Sequence, residues 1–276
     1  MVHLLTIFSR IALFTCLLLS ASTLRGQISF GQSQNFAFQV KQVDEFIERF
    51  NGQKNTVLLE YMRKYYPEDK MERYELLTTL FNHQDSTWDL NLVKAFLREV
   101  NDPEQPVYLD YYDQDWYAQV DCEVTYKGKR QAMSLFLAVE SSPDLASEWV
   151  IKGVKADFLC LPELENSKNM LNPVSHATDF MNLHKLFEQP EFARGYMHKN
   201  FQGNLLTLFY HELSEECLKL REIRKISYHF LQIRNWIFTV SQFRRPGRNS
   251  GWLIHSLSPM TEAEKSRYRL QELFLD

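Results

Sequence analysis

Between Trp116 and Tyr126, Ala118, Val120, Cys122, Val124 and Tyr126 alternate with Gln119, Asp121, Glu123 and Thr125. That is the period of a strand with one face toward a core and one toward water. Lys127-Gly128 interrupts the alternation, and Gly128 supplies the positive φ that a tight hairpin demands. In the strand that follows, Met133, Leu135, Leu137 and Val139 form the larger apolar face, with Ala132, Ser134, Phe136 and Ala138 on the other. EWVIKGVKAD, Glu148 to Asp157, continues what reads as an antiparallel meander.

Upstream the period changes to that of helices. Val40, Val43, Phe46, Ile47 and Phe50 recur at helical spacing up to Asn51-Gly52, and Val57, Leu58, Tyr61, Met62 and Tyr65 mark a second helix stopping before Pro67. A third runs through Met71, Tyr74, Leu77 and Phe81. A fourth, entered from Asp85-Ser86-Thr87, carries Leu92, Val93, Phe96, Leu97 and Val100. Pro103 and Pro106 end this block, and a short strand is expected at Val107 to Tyr112.

LPELENSKNMLNPV, Leu161 to Val174, has no apolar period and reads as a linker. The order then repeats. Phe180, Leu183, His184 and Phe187 stripe a helix, and Leu206, Phe209, Leu213 and Leu220 stripe a longer one reaching about Arg221. Ile226 to Arg245 reads as two strands, PGRN as a turn, and GWLIHSL as a third strand. Thr261 and Glu264 form a capping box for a last helix. The expected fold is α+β, two helix-then-antiparallel-meander units with curled sheets packed on helices. The expected division is residues 1–26, 27–160, a linker at 161–174, and 175–276. NWIFTVSQF against DWYAQVDCE, and SGWLIHSL against SEWVIKGV, fit either a tandem duplication or the chance likeness of two amphipathic meanders.

The first 26 residues change where this fold is expected to live. Arg10, an apolar run from Ile11 to Leu19 and small residues at Ser20 to Ser22 have the layout of a secretory signal peptide. The run is about half of the ~20 residues that span a bilayer, so no membrane span is expected after its removal. Thr15 before Cys16 does not suit a lipoprotein. A cut before Gln27 resembles the signal peptides of Bacteroidetes envelope proteins, and the expected location is periplasmic or extracellular. Losing Arg10 and Arg25 takes the formal charge from −4 to −6, which argues against nucleic acid as a partner. Cys122, Cys160 and Cys217 remain, at spacings that form no disulfide framework.

Helices followed by a curled antiparallel sheet, over Val40 to Asp157 and again over His176 to Leu257, resemble the cone-shaped fold of ketosteroid isomerase, scytalone dehydratase and the nuclear transport factor family. The resemblance lies in element order, so no catalytic residue is carried over. It implies that the concave side of each sheet holds a pocket or a partner.

Candidate chemistry is sparse. YHELSEEC places His211, Glu212 and Glu215 in the pattern of the HExxH zinc hydrolases, but Glu215 stands where the second His belongs. An exposed polar helix face explains the same residues, and no metal or other cofactor is expected. Asp110, Asp113, Asp115 and Asp121 lack the Gly of a calcium loop. RRPGR, Arg244 to Arg248, is a basic turn, and neither a nucleophile elbow nor a phosphate loop is present. Tyr112, Trp116, Tyr117 and Trp236 sit where the chain enters its strands and are the candidate binding residues, since exposed rings offer area to a glycan or peptide at low entropy cost. The expected function is that of an exported non-catalytic binding or assembly protein for a small ligand, glycan or envelope protein. The alternative is a small-molecule isomerase, dehydratase or hydrolase with a buried carboxylate or His in a cone-fold pocket.

Overall fold

The structure is a computed structural model, and it describes residues 35–141, 147–159, 187–188, 197 and 203–275. The signal-like segment, the linker at 161–174, Cys160 and His176, His184 and His198 lie outside these residues. The fold is α+β. The chain divides into two compact units that interleave along the sequence: residues 1–111 with 236–259, and residues 112–235 with 260–276. The expected boundary instead placed the two units one after the other.

In the first unit, α1 (Val43–Phe50), α2 (Val57–Tyr65), α3 (Arg73–Thr79) and α4 (Leu90–Val100) accompany a hairpin of two later strands, β5 (Trp236–Phe243) and β6 (Gly251–Pro259). Phe46, Phe50, Phe96 and Phe238 are fully buried and meet at ring separations of 5.8–6.4 Å. Large rings in contact dominate the energetics of such a core. One guanidinium ties its helices: Arg73 donates to the carbonyls of Phe50 (3.0 Å), Val100 (2.9 Å) and Val107. It thereby satisfies C-terminal carbonyls of α1 and α4 that have no partner within their helices.

That clamp also explains a correction. Val107 to Tyr112 is not a strand. Val107 N–H bonds Val100 O at 3.0 Å, and side chains take other backbone groups: the Asn51 amide donates to Leu109 O and accepts from Leu109 N, both at 2.8 Å, and Arg73 takes Val107 O. Nor does α4 begin at the Asp85 cluster. Asp85 closes a turn with Thr87, and Asp89 is the N-cap, accepting from the backbone N–H of Asn91 and Leu92. Val40, expected inside the first helix, forms a bridge with Gly251.

In the second unit, β1 (Trp116–Tyr126), β2 (Lys129–Ser141), β3 (Ser147–Lys155) and β4 (Leu218–Phe230) lie in the antiparallel order β3-β2-β1-β4. Lys127 and Gly128, with φ of 46° and 80°, make the β1–β2 turn. One sheet face, with Cys122, Val124, Met133 and Val154, packs on Phe209 and Leu206 of α5 (Leu205–Ser214). Trp116 extends this face, stacked on Phe230 at 5.2 Å. The other face meets α6 (Glu262–Gln271) and the tail after it, where the Thr261–Glu264 capping box forms as expected. Lys265 of α6 is buried, its ammonium donating to Leu231 O, Ile233 O and Glu262. The tail passes so close to β3 that a Cβ at Gly153 would stand 2.6 Å from Leu273 O.

α5 ends at Ser214, about two turns before the expected Arg221, and Leu218 to Arg221 already belong to β4. The stop is a left-handed Glu216 with φ 57°, after which Cys217 N–H bonds Glu212 O. This is the Schellman arrangement, made here without the usual Gly.

Register shifts mark the sheets. Between paired neighbours, one residue is inserted at Lys152 in β3, at Arg221 and Arg224 in β4, and at His255 in β6. Every inserted residue is basic. A bulge bends its strand and redirects the extra side chain.

Candidate ligand site

The second unit holds a cleft of about 550 Å³ between the start of β1, the end of β2, the bulge of β3, α5 and α6. Ala138, Val139, Leu206, Leu270 and Leu275 give it an apolar floor, and two ion pairs line it. Arg269 Nη2 stands 2.8 Å from Asp115 Oδ1, and the bulged Lys152 pairs with Glu140. Tyr117 is buried beside Arg269. Burial pushes its phenol up, and the guanidinium works against that rise. For Arg269, burial would lower the pKa, but Asp115 and Tyr117 outweigh it and hold the group above its ordinary range.

A chain of side chains adjoins the cleft. Asp121 Oδ1 accepts from Gln119 Nε2 and from Ser134 Oγ, each at 2.7 Å. Gln119 Oε1 therefore accepts from His229 Nε2 at 2.9 Å, and the other ring nitrogen, Nδ1, stands 2.7 Å from the Tyr268 hydroxyl, from which a neutral imidazole accepts. Burial, aided by Glu272, pushes Tyr268 up to about 12. This arrangement holds donors and acceptors in a fixed order.

Of the residues the sequence singled out for binding, Tyr117 lines the cleft and Tyr112 is 63 % exposed. Trp116 is fully buried, and Trp236, in the first unit, is buried with its indole N–H on Glu99 at 2.7 Å. On α5, His211 and Glu215 are exposed, whereas Glu212 accepts from Tyr126 Oη (3.1 Å) and Lys127 Nζ (3.2 Å). Among the described residues, no group of three His, Cys, Asp or Glu is placed to hold a metal ion. Asp113 closes a turn onto Asp115 N–H. In the basic turn, Arg245 donates to Asn82 and Asn249, and Arg248 lies over Phe38.

Sequence reasoning missed Arg269, Lys152, Glu140, His229 and Tyr268. Gly153 was the available signal, because a glycine inside a strand marks close approach of another backbone. A second cleft, of about 500 Å³, lies in the first unit among Tyr74, Phe81, His83, Trp88 and Leu97. Its lining is mostly apolar, and its His83 is taken by Thr78 O at 2.7 Å. No helix among the described residues is long and apolar enough to cross a membrane. Compared with protein-family models, with curated proteins and with solved structures, the chain finds no match in any of the three.

Proposed function

We propose that this chain is an exported, non-catalytic binding protein that takes a small amphipathic molecule with a charged head into the cleft beside α6. The observation that carries the reading is the division of labour around the cleft. The groups facing it are an apolar floor and two ion pairs, which suit orientation of a ligand with both donors and acceptors. The buried groups suited to acid–base work, His229 and Tyr268, are bonded to each other, and His229 is also bonded to Gln119. A general base must reach the proton it removes, so a ring with both nitrogens engaged is poorly placed for that work. Export rests on the layout of residues 1–26.

The test is saturation-transfer NMR with a mixture of dipeptides, each joining an aromatic to a charged residue. Transfer is expected from the native chain, unchanged in Arg267→Gln and reduced severalfold in Arg269→Gln. Equal transfer in Arg269→Gln removes the cleft as the site. Turnover of a bound compound that disappears in His229→Gln, with binding retained, moves the assignment to the enzyme alternative.

A further inference from the structure

At the other end of the same sheet, three guanidiniums converge on one carboxylate. Glu123 faces Arg130 at 3.9 Å, Arg221 at 3.3 Å and Arg224 in closer contact. Arg221 and Arg224 are the two inserted residues of β4, so the strand twice breaks register and each time the extra side chain reaches Glu123. The carboxylate is sunk, with 13 % of its side chain exposed, while the arginines are 71 %, 44 % and 56 % exposed in the same order.

The donors outnumber what Glu123 can accept. Each guanidinium carries about five N–H groups, against about four lone-pair sites on one carboxylate. Lys219 shares a register row with Arg130 across Thr125, and Glu222 stands opposite Glu123, giving four cations to two carboxylates in a chain of net charge −4. A structural ion pair needs one partner. Two bulges that crown a half-buried carboxylate with exposed guanidiniums instead gather a set of forked donors, the chemistry that matches a phosphate oxygen pair.

We propose that Arg130, Arg221 and Arg224 form a receiving site for a phosphate group, with Glu123 as the template that spaces them. The site is separate from the cleft beside α6 and does not depend on it.

Inorganic phosphate and pyrophosphate, titrated into ¹⁵N-labelled chain against chloride at equal ionic strength, test this. Amide shifts are expected over residues 219–225 and 123–130, saturable with phosphate and at least threefold tighter with pyrophosphate. Arg221→Gln with Arg224→Gln should weaken binding tenfold or more, and the paired Lys substitutions, which keep the charge but lose the fork, threefold or more. Glu123→Gln, which removes the carboxylate that spaces the three guanidiniums, should change the affinity and reduce the preference for pyrophosphate over phosphate. Arg244→Gln with Arg248→Gln should change nothing. Shifts equal in chloride, or Glu123→Gln leaving affinity unchanged, overturn the proposal. Should the double Gln variant fail to fold, the Lys pair and Glu123→Gln still decide it.

Discussion

The Tyr268 hydroxyl meets Nδ1 of His229 at 2.7 Å, and His229 is 8 % exposed. A helix reached late in the chain thus supplies the partner of the ring nitrogen that Gln119 leaves open on a histidine of β4. Tyr268→Phe leaves a buried ring nitrogen without its donor, at a cost of about 1–3 kcal/mol. Denaturant unfolding should show that loss. His229→Gln with Tyr268→Phe together should lose less than the sum of the singles, because the two residues share one bond.

Tyr268 also sets an alkaline limit. Its folded pKa, about 12, lies above the ordinary 10.0, so the fold favours the neutral phenol. The contribution is complete below pH 10 and is lost as pH rises through about 12. Wild type should therefore lose stability more steeply than Tyr268→Phe between those values in parallel melts. Matching slopes would remove Tyr268 as the cause.

Glu212 acts at the acid end. Burial pushes its carboxyl up, but hydrogen bonds from Lys127 and Tyr126 prevail and leave it below its ordinary value of 4.5. The ionised form is thus favoured in the folded state. Its contribution is present above pH 4.5 and lost as pH falls through the lower folded value. The melting-temperature gap between wild type and Glu212→Gln should shrink from pH 7 to pH 3.

Gly153→Ala tests the packing of the tail on β3. The added methyl meets carbonyl oxygens of Leu273 and Phe274 at 2.6 and 2.7 Å, and backbone cannot swing aside as a side chain can. The tail should detach, with faster amide exchange at Leu273 to Leu275 and weakened ligand uptake, since Leu275 lines the cleft. Unchanged exchange would show that the strand can shift to make room.

Phe96→Ala removes a fully buried ring that touches Phe50, Phe81, Trp236 and Phe238. The expected cost is about 3–5 kcal/mol. A loss under about 1 kcal/mol would mean that the surrounding rings collapse into the space.

Where one force decided, the sequence was readable. Ala118 to Tyr126 alternate because one face is buried, Lys127-Gly128 can only turn, and Thr261 with Glu264 caps α6. Where a side chain replaced a backbone partner, it was not. Asn51 mimics a strand for Leu109, and nothing local to Val107 announces it. The end of α5 carried no Gly, so its helical stripe ran on into Leu220. The cleft was hidden for a related reason: Asp115 and Arg269 are distant in sequence, and each alone is an ordinary surface charge.

Phe238 gives the fold an order in time. Phe46, Phe50 and Phe96 are made early, yet the ring that all three touch is made near the end of the chain. Until β5 emerges, α1 and α4 hold apolar faces with no sheet of their own unit to cover them. Contacts this remote are slow to close and leave an adhesive intermediate. A chain truncated before residue 236 should therefore bind a hydrophobic dye or a chaperone during refolding, and the full chain should lose that binding once Phe238 has docked.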